Sequence, residues 1–139
     1  NKLLIFVLTF SISSAALFAQ TKSDAALART ISLDETSRDA GNKLVTLSAA
    51  EHLARADVYM ANRHFREARE HWQKIFDNYP NDVGIPRALF GTARSYMWER
   101  EYEKAVFWFE KLTKDYLNTK EGREGLAFKG ASYVRAGKN

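Results

Sequence analysis

The sequence predicts an all-α chain of helix pairs folded back on one another. Three observations carry this: a repeat of 37 residues, a fixed alternation of small and aromatic residues inside it, and helix start and stop signals at matching places. The offset relates Ala56 to Ala93, Tyr59 to Tyr96, Phe65 to Tyr102, Ala68 to Ala105, Trp72 to Phe109 and Ile75 to Leu112. It also relates Leu89 to Leu126, Ala93 to Gly130, Tyr96 to Tyr133 and Arg100 to Gly137.

The chain opens with Lys2, an apolar run from Leu3 to Phe10, and a small, polar stretch from Ser11 to Ala16. A charged start, a short apolar core and small residues are the parts of a secretory signal peptide, which assigns residues 1–19 to export. Cleavage fits after Ala19 or after Ala16, and a mature start at Gln20 is preferred. The alternative is an uncleaved anchor, with the apolar run extended through Leu17 and Phe18; only then would the chain touch a membrane. Residues 20–47 are rich in Ala, Ser, Thr and Asp and carry scattered apolar residues without a sustained heptad. They read as a flexible spacer, partly helical, with Ser23 capping a short helix through Arg29 and a second helix starting near Asp34.

From residue 48 to 139 the repeats take over, as units of about 49–82 and 86–119 and a partial third at 123–139. Ser48 and Glu51 form a capping box that opens the first helix. The run Asn62, Arg63, His64 suits the short turn before the second helix. Pro80 cannot continue a helical ladder and closes the unit. Ala56 and Tyr59 share a stripe of the first helix, and Ala68 and Trp72 a stripe of the second. Paired helices approach closely only where one side is small, so Ala56, Ala68, Ala93, Ala105 and Gly130 mark the crossings and the aromatics fill the space beside them. The last helix should run from Lys120 to about Ala136 and stop at Gly137. Its Leu126, Gly130, Tyr133 stripe is that of a helix expecting a partner, which favours continuation of the natural protein past Asn139.

The series small, aromatic, aromatic, Ala, aromatic, Pro resembles the tetratricopeptide repeat family over residues 49 to 139. It is carried by Ala56, Tyr59, Phe65, Ala68, Trp72 and Pro80, then by Ala93, Tyr96, Tyr102, Ala105 and Phe109. The resemblance implies antiparallel helix pairs stacked as a right-handed superhelix. Arg55, Thr92 and Lys129 stand where that family usually has Leu, His52 where it has Trp, and Leu117 where it has the closing Pro. The period exceeds the usual 34 or so residues, the extra ones falling in Asn81 to Ile85 and Asn118 to Gly122. This is similar to repeat proteins of the Gram-negative envelope, the Tol-Pal-associated periplasmic protein and the lipoprotein of the barrel-assembly machinery among them. The resemblance implies a periplasmic adaptor, with secretion or N-terminal anchoring as alternatives. The chain lacks the cysteine a lipoprotein requires and any trimerising coiled coil before the repeats.

Composition narrows the function. The net charge is +4, with 21 basic residues interleaved among 17 acidic ones, so no basic stripe marks a nucleic-acid surface. Without cysteine there is no disulfide, thiolate metal site or cysteine nucleophile. The three histidines, His52, His64 and His71, form no metal-binding motif, and Glu67 with His71 reads as a surface helix pair. Glu99, Glu101 and Glu103 crowd a turn where nothing desolvates them for acid catalysis. No phosphate loop or nucleophile motif is present, so the expectation is a non-enzyme without cofactor, metal or small-molecule substrate.

What remains is binding. In the second unit Arg87, Phe90, Arg94, Met97 and Trp98 fall on a stripe beside the packing stripe of Leu89, Ala93 and Tyr96. First helices line the concave side of such arrays, so these five are the candidate partner-binding residues for a protein or peptide. Their counterparts are Leu53, Asp57, Met60 and Ala61 before them, and Ala127, Ala131, Val134 and Arg135 after them. The competing expectation is a structural repeat module of a larger secreted or envelope protein. Export makes the first prediction: protein recovered from the periplasm has an intact mass that starts at about Gln20, whereas a mass retaining Leu3 to Phe10 favours the anchor.

Overall fold

A computed structural model describes residues 14–137, with side-chain surroundings from residue 22 onward; the expected signal peptide therefore falls largely outside the described residues. Six helices follow in order: α1 (Ser14–Thr36), α2 (Ala49–Ala61), α3 (Phe65–Asn78), α4 (Ile85–Trp98), α5 (Tyr102–Asp115) and α6 (Lys120–Arg135). Among the described residues no strand forms, and the one ladder contact is an isolated bridge between Arg38 and Leu44. No helix among them is long and apolar enough to cross a membrane.

Local chemistry accounts for the helix limits. Ser48 Oγ accepts from the Glu51 amide at the start of α2. The reciprocal half of the capping box is missing, because the Glu51 carboxylate is taken by Arg55 at 2.7 Å. Thr119 Oγ1 caps α6 by accepting from the Gly122 amide, a start signal the sequence reading passed over. The chain turns between α2 and α3 with Arg63 at φ 63°, and between α4 and α5 with Arg100 at φ 64°. The same left-handed residue thus recurs at the repeat offset, in a conformation that costs an arginine more than a glycine. α6 stops at Arg135, followed by Gly137 at φ 72°.

Consecutive helices fold back on each other. Tyr59, late in α2, lies beside His64, and His52, early in α2, lies beside His71 farther along α3. α4 also touches both α2 and α6, so the three form one row. The core runs between the rows: Ala56, Ala68, Ala93 and Ala105 are fully buried, as are Ile75, Phe109 and Leu112, and Trp72 is 2% exposed. Close approach between α3 and α4 shows at Gly91, where a Cβ would sit 2.3 Å from the Trp72 indole. Gly125 plays the same part against Leu112, at 2.6 Å. Gly130, expected at a crossing, faces open space and Leu126 is half exposed, while Tyr133 of the same stripe donates its hydroxyl to Glu110 of α5.

The main correction concerns residues 20–47. Expected as a flexible, partly helical spacer with a helix ending at Arg29, they instead carry α1 without a break at Arg29 to Thr36, and Thr30, Asp34 and Leu44 are buried. The reading failed because α1 attaches through few apolar contacts, chiefly Leu27 and Ile31, and mainly through Asp34, which no hydrophobic period reports. Ser23 caps nothing here; its hydroxyl donates to Asn62 at 2.8 Å, tying α1 to the end of α2.

Since Ala105 has no exposed surface at the packing of α5 on α4, Ala105→Leu is expected to overpack the crossing and lower stability by about 1–3 kcal/mol. Thermal unfolding followed by circular dichroism checks it, and an unchanged midpoint counts against this register.

Candidate partner-binding face and a buried polar cluster

Two groups of polar side chains stand out, one sealed and one open. The sealed one is built on Asp34 of α1. Arg55 Nη1 donates to its Oδ1 at 2.5 Å, while the Tyr59 hydroxyl and His71 Nε2 donate to Oδ2 at 2.6 and 2.9 Å. The chain of donors sets the histidine tautomers. The Leu47 amide donates to His52 Nε2 at 2.9 Å, so the neutral His52 ring carries its proton on Nδ1. That Nδ1–H donates to His71 Nδ1 at 2.8 Å, which leaves His71 Nε2–H for Asp34. Every donor meets one acceptor, and no site is left for an extra proton.

Electrostatics agree with this geometry. Burial, reinforced by neighbouring His71 and Lys74, pushes His52 down to about 4. Burial also lowers His71, against the pull of Asp34. Burial alone would raise Asp34, but the hydrogen bonds from Tyr59, His71 and Arg55 outweigh it and hold the carboxyl below its ordinary range. The reading of His71 and Glu67 as a surface pair is thus wrong: His71 is 1% exposed and turns inward, and Glu67 lies 3.1 Å from Arg66 instead. Asp34, His52 and His71 are each at 3% exposure or less, and their ring nitrogens and carboxylate oxygens are all paired with one another or with neighbours. Among the described residues no group of three or more His, Asp or Glu is arranged to hold a metal. Of the acidic turn, Glu99 is held by Arg69 at 2.8 Å and Glu101 by Lys104 at 2.9 Å.

The open group lies on α4 and divides the five predicted residues. Arg87, Phe90 and Arg94 line a cleft of about 330 Å³ between α2, α4 and α6, together with Asp57, Met60 and Trp72. Arg87 is ion-paired with Asp57, whose carboxyl is raised by burial and only partly pulled back by Arg87. Arg94 is different: its guanidinium lies 5.6 Å from the Phe90 ring, 5.8 Å from Phe128 and 5.9 Å from Trp98, and its buried Nε has no acceptor. Trp98 is 44% exposed and stands beyond the cleft, edge-on to Phe65 at 6.2 Å with Arg63 above it at 5.1 Å. Met97 is half-buried against the core and belongs to packing as much as to the face.

Phe128, Arg63 and Trp72 were missed as contributors. Phe128 stands one repeat offset from Gly91 rather than from Phe90, so periodicity gave no sign of it. Trp72 was assigned to the core, where its ring does lie, but its Nε1–H is buried with no acceptor. The counterparts Asp57 and Met60 do line the cleft, whereas Val134 is 66% exposed.

Among the described residues the fold is all-helical, with an open cleft in which Arg87, Arg94 and Lys120 face Asp57, Glu121 and Glu124 beside aromatic walls. No family model, curated protein or solved structure matches the chain.

The sealed cluster predicts acid sensitivity. The folded state keeps His52 neutral to about 4, against an ordinary value of 6.5, so the unfolded chain binds the proton first as pH falls. The stabilisation is complete above about pH 6.5 and is lost toward pH 4. Urea unfolding at pH 7.5 and 4.5 should differ by about 2 kcal/mol, and His52→Gln should flatten the dependence.

Proposed function

We propose that this chain is a non-catalytic adaptor of the tetratricopeptide type in the bacterial cell envelope, periplasmic, whose groove holds a protein or peptide partner. On this reading the helix pairs stack as a right-handed superhelix with α2, α4 and α6 on the concave side. The support is the recurrence of one set of physical features at one offset: buried Ala68 and Ala105, buried Trp72 and Phe109, and left-handed Arg63 and Arg100.

The observation that carries the binding role is Arg94. A guanidinium cushioned by three aromatic rings, one of them the exposed Trp98, and with its buried Nε lacking an acceptor, has the composition from which interfaces draw most of their energy. Arg87 is largely neutralised by Asp57 and contributes less. A second reading, a structural module of a larger secreted or envelope protein, is favoured by α6, where Leu126 and Val134 are exposed.

Photo-cross-linking from position 98 in an envelope extract would identify a partner, and titration with that purified partner tests the role. Trp98→Ala should weaken binding by about 2 kcal/mol or more with the thermal midpoint retained, and the loss from Arg94→Glu should shrink as salt rises. A Trp98→Ala chain that unfolds, or that binds with unchanged affinity, moves the binding face to the other side of the array.

A further inference from the structure

Resting on the groove reading above, we propose that the cleft between α2, α4 and α6 is a subsite for one acidic side chain of the partner, bound by Arg94 together with the indole N–H of Trp72. Two residues that line this cleft, Arg94 and Trp72, each carry a buried N–H, at Nε and at Nε1, that has no acceptor. Buried donors are nearly always paired, so two unpaired ones on residues of one lining are an exception that calls for an acceptor. Trp72 is 2% exposed, and its indole is pressed onto α4 at Gly91, the residue that also lines the cleft. Only a glycine leaves the ring there, since a Cβ would come within 2.8 Å of the carbon bonded to Nε1.

The chemistry of the occupant follows from the donors. A group that accepts from both and carries no proton of its own is needed, and a cation beside it favours an anion, so a carboxylate fits and an amide or hydroxyl fits less well. Arg94 is free to take it, because its other neighbours are ring faces that hold the guanidinium without using its N–H groups. Arg87 is not, being engaged by Asp57.

The surroundings favour a side chain within a continuous segment over a chain end. On one side of Arg94 lie Trp98 and Phe65. On the other the cleft runs through Arg87 and Glu121 into a second recess that includes Leu53 and Val83. A bound segment therefore finds apolar surface both before and after the carboxylate. Glu121 and Glu124 in the same lining oppose a run of acids, so the motif is a single acidic residue between apolar ones.

Nitrogen-15 NMR of the full chain, with the three indole signals assigned through single Trp→Phe variants, tests this against three pentapeptides. The first has a central aspartate flanked by leucines and is blocked at both ends. The second replaces the aspartate by asparagine, and the third is the asparagine peptide with a free C-terminal carboxylate. The aspartate peptide should move the Trp72 indole proton downfield and bind about tenfold or more tighter than its asparagine twin. Arg94→Gln should abolish that preference, and Trp72→Phe should reduce it while apolar binding persists. Should Trp72→Phe not fold, Arg94→Gln and the wild-type indole shift decide alone. Equal binding of the two blocked peptides, a silent Trp72 signal, or a response only to the free terminus overturns the proposal. A partner held through Trp98 without an aspartate preference removes this subsite and leaves the groove, whereas loss of all Trp98-dependent binding removes the groove itself.

Discussion

Asp34 carries a charge into the interior, and the arrangement of the first three helices depends on how that charge is met. A buried carboxylate costs several kcal/mol unless opposite charge and hydrogen bonds surround it. Here the guanidinium of Arg55 and the phenol of Tyr59 arrive from α2, and the imidazole of His71 from α3. The apolar contacts of α1 through Leu27 and Ile31 would tolerate more than one height along α2, but the three donors accept the carboxylate at one. Each member of the cluster also leaves the others unpaired if it is withdrawn, so the cluster acts as a unit. Burial of His52 and Arg55, two polar side chains on the packed side of α2, has its reason here.

The remaining helices follow a steric rule with a polar by-product. Small residues let helix axes approach, and large neighbouring rings take up the volume. At Gly91 that approach is close enough to press Trp72 against α4. The indole N–H is then left without an acceptor, on a residue that lines the cleft. Packing itself thus produces an unusual donor at the face proposed for binding.

Two arginines one helix face apart acquire opposite characters from their neighbours. Arg87 meets Asp57 and becomes half of an exposed ion pair, a kind of contact worth little in water. Arg94 meets Phe90, Trp98 and Phe128, whose faces attract the cation without taking its hydrogen bonds. The interaction potential of the face resides in that difference. Neither arginine is distinguished from the other by its own position in the repeat.

The sequence by itself determined the helical class, the start of α2 after Ser48, the turn at Asn62 to His64, the stop before Pro80, the run of α6 from Lys120, and the buried series Ala56, Ala68, Trp72, Ile75, Ala93, Ala105 and Phe109. These are legible because they arise from spacings of three and four residues, from caps, and from Pro80 and Gly137, all local in the chain. It also placed Phe90, Arg94 and Trp98 on one side of α4. Tertiary structure alone decided that α1 is part of the fold, that His71 points inward, that Arg87 is paired, and that Arg94 and the Trp72 N–H are left without acceptors. Those outcomes depend on side chains meeting across 21 to 37 residues, as Asp34 meets Arg55 and His71. Hydrophobic periodicity records which way a side chain faces, and the identity of the polar group waiting there is set by another helix.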